Sequence, residues 1–453
     1  MSELLSICKT SEKSMKINKQ KLSSLNILYR QFLKRKFLFL AICFFLLLAG
    51  CSKDSINPFH SNDSEFVNES TALFETMKLW YLWYDQLPAT LPAEYYNNVP
   101  ATMEYLRYIP LDRWSFVMDI QEAQQYFEEG VYYGFGIGLQ WDSDNNLFIS
   151  LVFKESDAYQ NSITRGCQIL SINNIPVSTL LTTLSDLLQE TASIEINYID
   201  VAGDTLTNVL NKKELNIDFI LHQSIIPVDS RNVGYLVYNS FNINSITDLD
   251  QAFSYFQNNT IDDLILDMRY NGGGRTDVTT HLASLISGNG PGDVFFTSIH
   301  NDNMEFLNAN EYFTSVSYSL GLNRLFVITT GSTASASEML INGLEPYMDV
   351  ILIGERTHGK PVGMYSFYFG DYAFYPVSVK AVNAEGYGDF YSGIEVDRQV
   401  ADDLTHDFGD NNEACLAEAL YYIENGSFSS KLTRLHKKQK ITFKGIHAEI
   451  VAF

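Results

Sequence analysis

Three short stretches of this 453-residue chain hold side chains and backbone that could carry out nucleophilic chemistry. In the first, the apolar run Leu325-Phe326-Val327-Ile328-Thr329-Thr330 leads into Gly331-Ser332-Thr333-Ala334-Ser335-Ala336-Ser337-Glu338, where a helix is expected to begin. A serine on a strand-to-helix turn stands exposed at the sheet edge. The helix N–H groups and dipole there favour a developing anion. Ser335 is the candidate nucleophile, and Ser332 and Thr333 are expected to cap the helix. The second stretch is Ile353-Gly354-Glu355-Arg356-Thr357-His358-Gly359-Lys360-Pro361. It holds an amine, Lys360, which read from this stretch alone is an ordinary surface charge, and an imidazole, His358. The third, Leu266-Asp267-Met268-Arg269-Tyr270-Asn271-Gly272-Gly273-Gly274, runs a strand into three glycines. Glycine tolerates positive φ and admits close approach, so such a turn can aim bare backbone N–H groups into a cleft, as an oxyanion hole requires.

Taken together and in their order along the chain, glycine turn, serine turn and then lysine stretch, the three resemble those of the carboxy-terminal-processing, or tail-specific, serine peptidases. The family's serine turn corresponds to Thr333-Ala334-Ser335-Ala336-Ser337-Glu338, and its lysine stretch to Gly354 through Lys360, 25 residues beyond Ser335. Its glycine turn corresponds to Asp267 through Gly274. The resemblance covers most of residues 70–425. It implies that Ser335 is the nucleophile and Lys360 the general base. It also implies that the N–H groups of Ala336, Gly273 and Gly274 hold the oxyanion. Lysine acts as a base only when neutral, and an ordinary one titrates near about 10.4, so the family's lysine must be drawn out of water. The chemistry implied is acyl-enzyme hydrolysis of peptide bonds, with no metal and no organic cofactor. One position departs from the pattern: the family's glutamine four residues after the lysine is Met364 here, and a thioether cannot supply an amide donor. Tyr365 and Ser366 are the nearby polar substitutes. His358 lies two residues off the family's base position.

Residues 130–215 change to short β-type runs: Phe148–Val152, Gln168–Ile172 and Ile194–Tyr198, with a helix expected over Leu180–Glu190. Tyr133-Gly134-Phe135-Gly136-Ile137-Gly138-Leu139 resembles the carboxylate-binding loop and following strand of a PDZ domain. Ser156-Asp157-Ala158 and Arg165 through Asn173 resemble that domain's core, with Cys167 in place of its usual aspartate. The resemblance implies that Gly134, Phe135, Gly136 and Ile137 receive a peptide carboxylate while the peptide adds a strand to the sheet edge.

The elements that must position these groups are legible as alternation. Leu264–Leu266, Leu325–Thr330 and Val350–Ile353 read as strands, while Asp277–Ser287 and Ala334–Tyr347 read as helices. Alternation of this kind argues for an α/β core. Upstream, Phe74, Met77, Trp80, Tyr81, Trp83 and Tyr84 form an aromatic stripe at helical spacing, read as core packing. The expected fold is α/β and multi-domain. A small helical N-terminal domain (65–129), an inserted β-rich PDZ-like module (130–215) and a protease core (216–428) would be followed by a basic tail (429–453).

The N-terminus follows another rule. Nine basic residues precede or flank a thirteen-residue apolar run, Phe37–Ala49, which is too short for a membrane span of about 20 residues. Such a pattern reads as a secretory signal over 1–50. Leu48-Ala49-Gly50-Cys51 resembles a bacterial lipobox, which implies diacylglycerol on Cys51 and a polar tether over 51–64. The expected location is the cell envelope, held by lipid to the outer or another periplasm-facing membrane. The chain carries net charge −23. Without residues 1–50, which hold nine basic and two acidic side chains, 22 basic and 52 acidic residues remain, net −30. That charge excludes a nucleic-acid partner. Protein or peptide substrates and the membrane are the expected partners. The alternative is an inactive relative that only binds peptides, for which Met364 and Cys167 speak.

Overall fold

The computed structural model describes residues 68–430. The expected signal, the Cys51 anchor, the tether and nearly all of the basic tail lie outside them. The central sheet has six strands, in the order Ile220–Val228, Arg231–Tyr238, Asp263–Asp267, Arg324–Thr329, Asp349–Gly354, Arg398–Gln399. The first pair is antiparallel and every later pair parallel. The central strands are apolar along their length because both faces are covered, as a parallel sheet requires. Leu264, Leu266, Leu325 and Val327 point to one face, where they meet Leu249 and Phe253 of the helix Ser245–Asn258, Leu282 of Thr276–Ser287, and Leu340 and Leu344 of Ala336–Leu344. Ile265, Phe326, Ile328 and Ile353 point to the other, against Cys415, Leu416 and Ala419 of the helix Ala414–Asn425.

Residues 137–211 form a second body with a core of its own. Five antiparallel strands run in the order Ile137–Trp141, Leu147–Val152, Gln168–Ile172, Ser193–Ile199, Thr205–Asn211, and the helix Leu184–Glu190 packs Leu184 and Leu188 into them. The expected helix over Leu180–Glu190 starts later, at Leu184, after a 3₁₀ turn at Val177–Thr179. Tyr133 and Gly134 stand apart from that sheet, in the ribbon Val131–Gly134 paired with Lys213–Asn216. This ribbon is where the chain enters and leaves the module.

The N-terminal segment contains the helices Glu69–Trp80 and Val99–Leu106 and the strand Phe116–Asp119. It shares one core with residues far along the chain. Leu73, Met77, Trp80, Tyr81 and Trp114 pack with Val362, Phe367, Phe374 and Val377, and Phe116–Asp119 pairs with Tyr372–Tyr375. The aromatic stripe is core as expected at Phe74, Met77, Trp80 and Tyr81, but the helix carrying it stops at Trp80. Tyr81 turns to extended backbone, its hydroxyl donates to Asp112 Oδ2 at 2.6 Å, and Leu82 N–H donates to Val377 O at 2.9 Å. These bonds outcompete another helical turn, so Trp83 and Tyr84 leave the stripe.

Candidate active site

The three chemistry-bearing stretches all leave the C-terminal ends of neighbouring parallel strands. The glycine turn follows Asp267, the serine turn follows Thr329 and the lysine loop follows Gly354. Ligand sites of open α/β sheets lie at this edge. Sheet order therefore brings together residues that the sequence separates.

Ser335 sits at the start of the helix Ala336–Leu344 with φ 56° and ψ −114°. Positive φ is rare for a residue with a side chain and costs about 1–3 kcal/mol, strain that recurs at functional turns. The surroundings fix it. Ala334 N–H donates to Asn271 O (3.1 Å), and Ser337 Oγ donates to the same oxygen (3.0 Å). Thr333 does not cap the helix as the sequence suggested. Its hydroxyl donates to Met268 O (2.8 Å) and accepts from Thr330 N–H (3.0 Å), stitching the serine turn to the strand bearing the glycines. Ser332 is not the cap either, since the helix begins only after Ser335 and the capping carboxylate is that of Glu338.

Glu338 links the two loops. Its Oε2 accepts from Ser335 N–H (3.0 Å) and from Lys360 N–H (2.8 Å), while Oε1 accepts from Gly359 N–H (2.6 Å) and the Thr357 hydroxyl (2.5 Å). A single oxygen atom thus makes the serine and lysine backbones immediate neighbours. Glu338 is fully buried, and burial pushes its carboxyl above the ordinary glutamate value while its four donors pull the other way. Lys360 is 4% exposed, so it is not the surface charge a lysine ordinarily is.

Gly273, with φ +109°, lies against the serine: a Cβ on it would stand 2.8 Å from the Ser335 Cβ and 2.9 Å from the Ala336 nitrogen. Only glycine fits, and the fit puts the glycine turn beside the start of the serine helix. The Gly273 N–H is held by Asn271 Oδ1 at 2.9 Å. Ala336, as the first helical residue, has an N–H with no partner within its helix. Gly274 is exposed and bridges to Phe241.

His358 has both ring nitrogens engaged: Nε2 with Trp114 Nε1 at 3.2 Å, Nδ1 with Gly331 O at 3.3 Å. The Tyr365 hydroxyl is bonded to His300 Nε2 at 3.0 Å, and Met364 packs among apolar side chains. Sequence reasoning passed over Asp112-Arg113-Trp114-Ser115, which meets the lysine loop and the strand after it. Asp112 Oδ1 accepts from Trp114 and Ser115 N–H (3.0 and 2.9 Å), and Ser115 Oγ accepts from Val377 N–H (2.8 Å). An aspartate two residues before a tryptophan and three before a serine is an Asx-turn signal, the one local hint the sequence offered.

Where the chain enters the second body, Gly134, Phe135, Gly136 and Ile137 are all buried. Gly136 has φ +74°, and Phe153 N–H donates to its carbonyl at 2.9 Å. The strand that follows, Ile137–Trp141, is the outer strand of its sheet. Among the described residues no group of His, Cys, Asp or Glu side chains could hold a metal ion, and no helix is long and apolar enough to cross a membrane.

Residues 232–400 match the model of peptidase family S41, and residues 68–116 match the peptidase S41 N-terminal domain. The chain is 24% identical over 263 residues to the carboxy-terminal processing protease CtpA of Bacillus subtilis, across 55% of this chain and 52% of that protein. It is 26% identical over 285 residues to a carboxyl-terminal-processing protease of Synechocystis, across 59% of this chain and 63% of that protein. The chain therefore spans between about half and under two thirds of the length of these curated relatives. A crystal structure of a putative S41 protease from Bacteroides fragilis has the same fold, with TM-score 0.67 at 24% identity over 79% of this chain and 97% of that one.

Proposed function

We propose that this chain, which matches the peptidase S41 models over residues 232–400 and 68–116 and resembles carboxy-terminal processing proteases over more than half its length, is a peptidase of that family, a serine endopeptidase working through a Ser335/Lys360 dyad. The observation that carries the reading is the buried Glu338 carboxylate, which accepts from the backbones of both residues. In this mechanism the neutral Lys360 amine takes the Ser335 proton as Oγ attacks the substrate carbonyl. The N–H groups of Ala336 and Gly274 receive the negative charge on the carbonyl oxygen, while that of Gly273, bonded to Asn271 Oδ1, joins them only by leaving that partner. Lys360 then gives its proton to the leaving amine, and water enters by the same route to release the acyl group. Losing one oxyanion donor typically costs about 10²–10³ in rate.

The same proposal extends to substrate choice and place. Residues 130–215 act as a PDZ-like module, and a substrate tail adds a strand along Ile137–Trp141 with its carboxylate at the loop Gly134–Ile137. The outer position of that strand supports this reading. Substrates are protein or peptide chains engaged near their C-termini. Export and a lipid on Cys51 hold the enzyme in the cell envelope, a reading supported by the sequence alone. The test is a serine-directed fluorophosphonate probe and a panel of peptide tails, applied to the wild type and to Ser335→Ala. Labelling and cleavage that vanish in the variant support the enzyme. Their absence in the wild type, with tails still bound, leaves a peptide-binding protein in its place.

A further inference from the structure

The lysine loop has no regular structure of its own: residues 355–361 belong to no helix or strand. A base on such a loop approaches its serine at a fixed distance only if other parts of the fold pin the loop. Glu338 pins it from the serine helix. The second pin comes from the N-terminal segment, more than two hundred residues earlier in the chain. Trp114 Nε1–H donates to His358 Nε2. The Arg113 guanidinium lies 4.9 Å over the Trp114 ring and donates to Tyr391 O at 3.0 Å and, at 3.5 Å, to the carbonyl of Gly359, the residue before Lys360.

The chemistry of these atoms fixes the state of the imidazole. An indole nitrogen only donates, so Nε2 must present a lone pair. A carbonyl oxygen only accepts, so Nδ1 must carry the proton that goes to Gly331 O. The tautomer that makes both bonds has one nitrogen bonded to the N-terminal segment and the other to the serine turn. Its backbone N–H donates to Thr333 O in that same turn at 2.9 Å. No lone pair remains on the ring to take a serine proton. Buried Asp112 holds Trp114 at its station through the Asx turn and is itself anchored by the Tyr81 hydroxyl.

We propose that Trp114 and His358 form a positioning pair that sets the approach of the Lys360 amine to Ser335. The proposal rests on the Ser335/Lys360 reading and adds to it a role for the N-terminal segment. Trp114→Phe removes the donor and keeps most of the volume. His358→Ala removes both ring bonds. His358→Gln keeps them, since an amide oxygen can accept from Trp114 while the amide NH₂ donates to Gly331. A misplacement of about 1 Å can cost on the order of 10²-fold in rate. The experiment measures kcat and KM on one peptide, the second-order rate of fluorophosphonate labelling, and the melting temperature of each variant.

Trp114→Phe and His358→Ala are expected to lower kcat and labelling by about ten- to a hundredfold with KM little changed. The double variant should be no worse than the worse single one, and His358→Gln should restore most of what His358→Ala loses. Full rate in Trp114→Phe overturns the proposal. So does a His358→Gln variant as inactive as Ser335→Ala, which would make the imidazole a proton carrier. A fall in melting temperature with kcat unmoved also overturns it, leaving a purely structural contact. Labelling that persists in Ser335→Ala would instead sink the dyad on which the proposal stands.

Discussion

At the scale of single residues, the site turns on two buried ionisable groups. In the proposed dyad Lys360 carries the proton transfer, and general base catalysis contributes typically about 10²–10⁴-fold. Lys360→Met keeps the length of the side chain and removes the amine. Fluorophosphonate labelling of Ser335 in that variant should slow by roughly that factor with the fold intact by circular dichroism. Undiminished labelling would move the base elsewhere. Glu338 has a different task, to accept four hydrogen bonds at once. In Glu338→Gln one oxygen becomes an NH₂ that faces two donors. Leaving buried donors unmatched costs about 1–3 kcal/mol, so a drop in unfolding free energy of that size is expected, accompanied by loss of activity. The proton on Glu338 has a separable signature. Burial raises its carboxyl above the ordinary 4.5, so the folded chain holds that proton more tightly than the unfolded one. Its contribution to stability is therefore complete below the unfolded value and declines as pH rises through the folded value. Activity runs the other way, because a protonated carboxyl brings a fifth donor and one of the four must let go. A pH series should show the rate falling on the acid side before stability does. A melting temperature that falls in step with the rate would contradict this.

At the scale of elements, the site is three loops on three adjacent strand ends, and this explains what the sequence disclosed. Ser335, Lys360 and the glycine run were legible because each follows a buried apolar strand, and such strands announce themselves by composition. The strand bounds moved by only a residue or so when folded: Leu264–Leu266 became Asp263–Asp267, and Val350–Ile353 became Asp349–Gly354. What stayed hidden depends on pairing across long stretches of chain. Trp114 and His358 are 244 residues apart, and no local pattern encodes their meeting. The assignment of Ser332 and Thr333 as caps failed for a related reason. Thr333 bonds sideways to Met268 on the neighbouring strand, a partner local propensity does not see. The glycine turn makes the dependence on close approach testable. Gly273→Ala would place a methyl 2.8 Å from the Ser335 Cβ and 2.9 Å from Ala334 O, on a backbone at φ +109°. Strain of this kind costs about 1–3 kcal/mol and pushes the serine turn off its station. Labelling at Ser335 should fall to background while circular dichroism still reports a folded chain. A labelled Gly273→Ala variant would show that the glycine turn can retreat from the serine.

At the scale of the whole molecule, the question is what joins the 137–211 body to the sheet that bears the site. Each has an apolar core of its own, but Leu151 and Phe153 of the small body pack into the core of the large one, and beside them the centre of the polar contacts that join the two is Arg165. This side chain, 2% exposed, leaves the small body and enters the large one. It donates to Tyr270 Oη (2.6 Å), Asp402 Oδ1 (2.9 Å) and the carbonyls of Asp403 and His406 (both 3.0 Å). The same Asp402 oxygen accepts from Arg269, which in turn is held by Asp267 and Glu413. Tyr270 donates its hydroxyl to Asp402 and is followed directly by Asn271, whose carbonyl ties down the serine turn. A charge buried so fully is tolerable only while every partner is in place. Arg165→Met removes the cation and its donors without removing bulk, and breaking a buried pair typically costs about 3–5 kcal/mol. That loss falls on the joint, because neither core has been touched. Hydrogen exchange along a urea series should then show the wild type opening residues 137–211 and the central strands in one transition. The variant should open the small body's contacts with the core first while the strands of both bodies keep their protection. A single transition with an unmoved midpoint in Arg165→Met would mean that the ribbon of Val131–Gly134 with Lys213–Asn216 is sufficient to hold the two together.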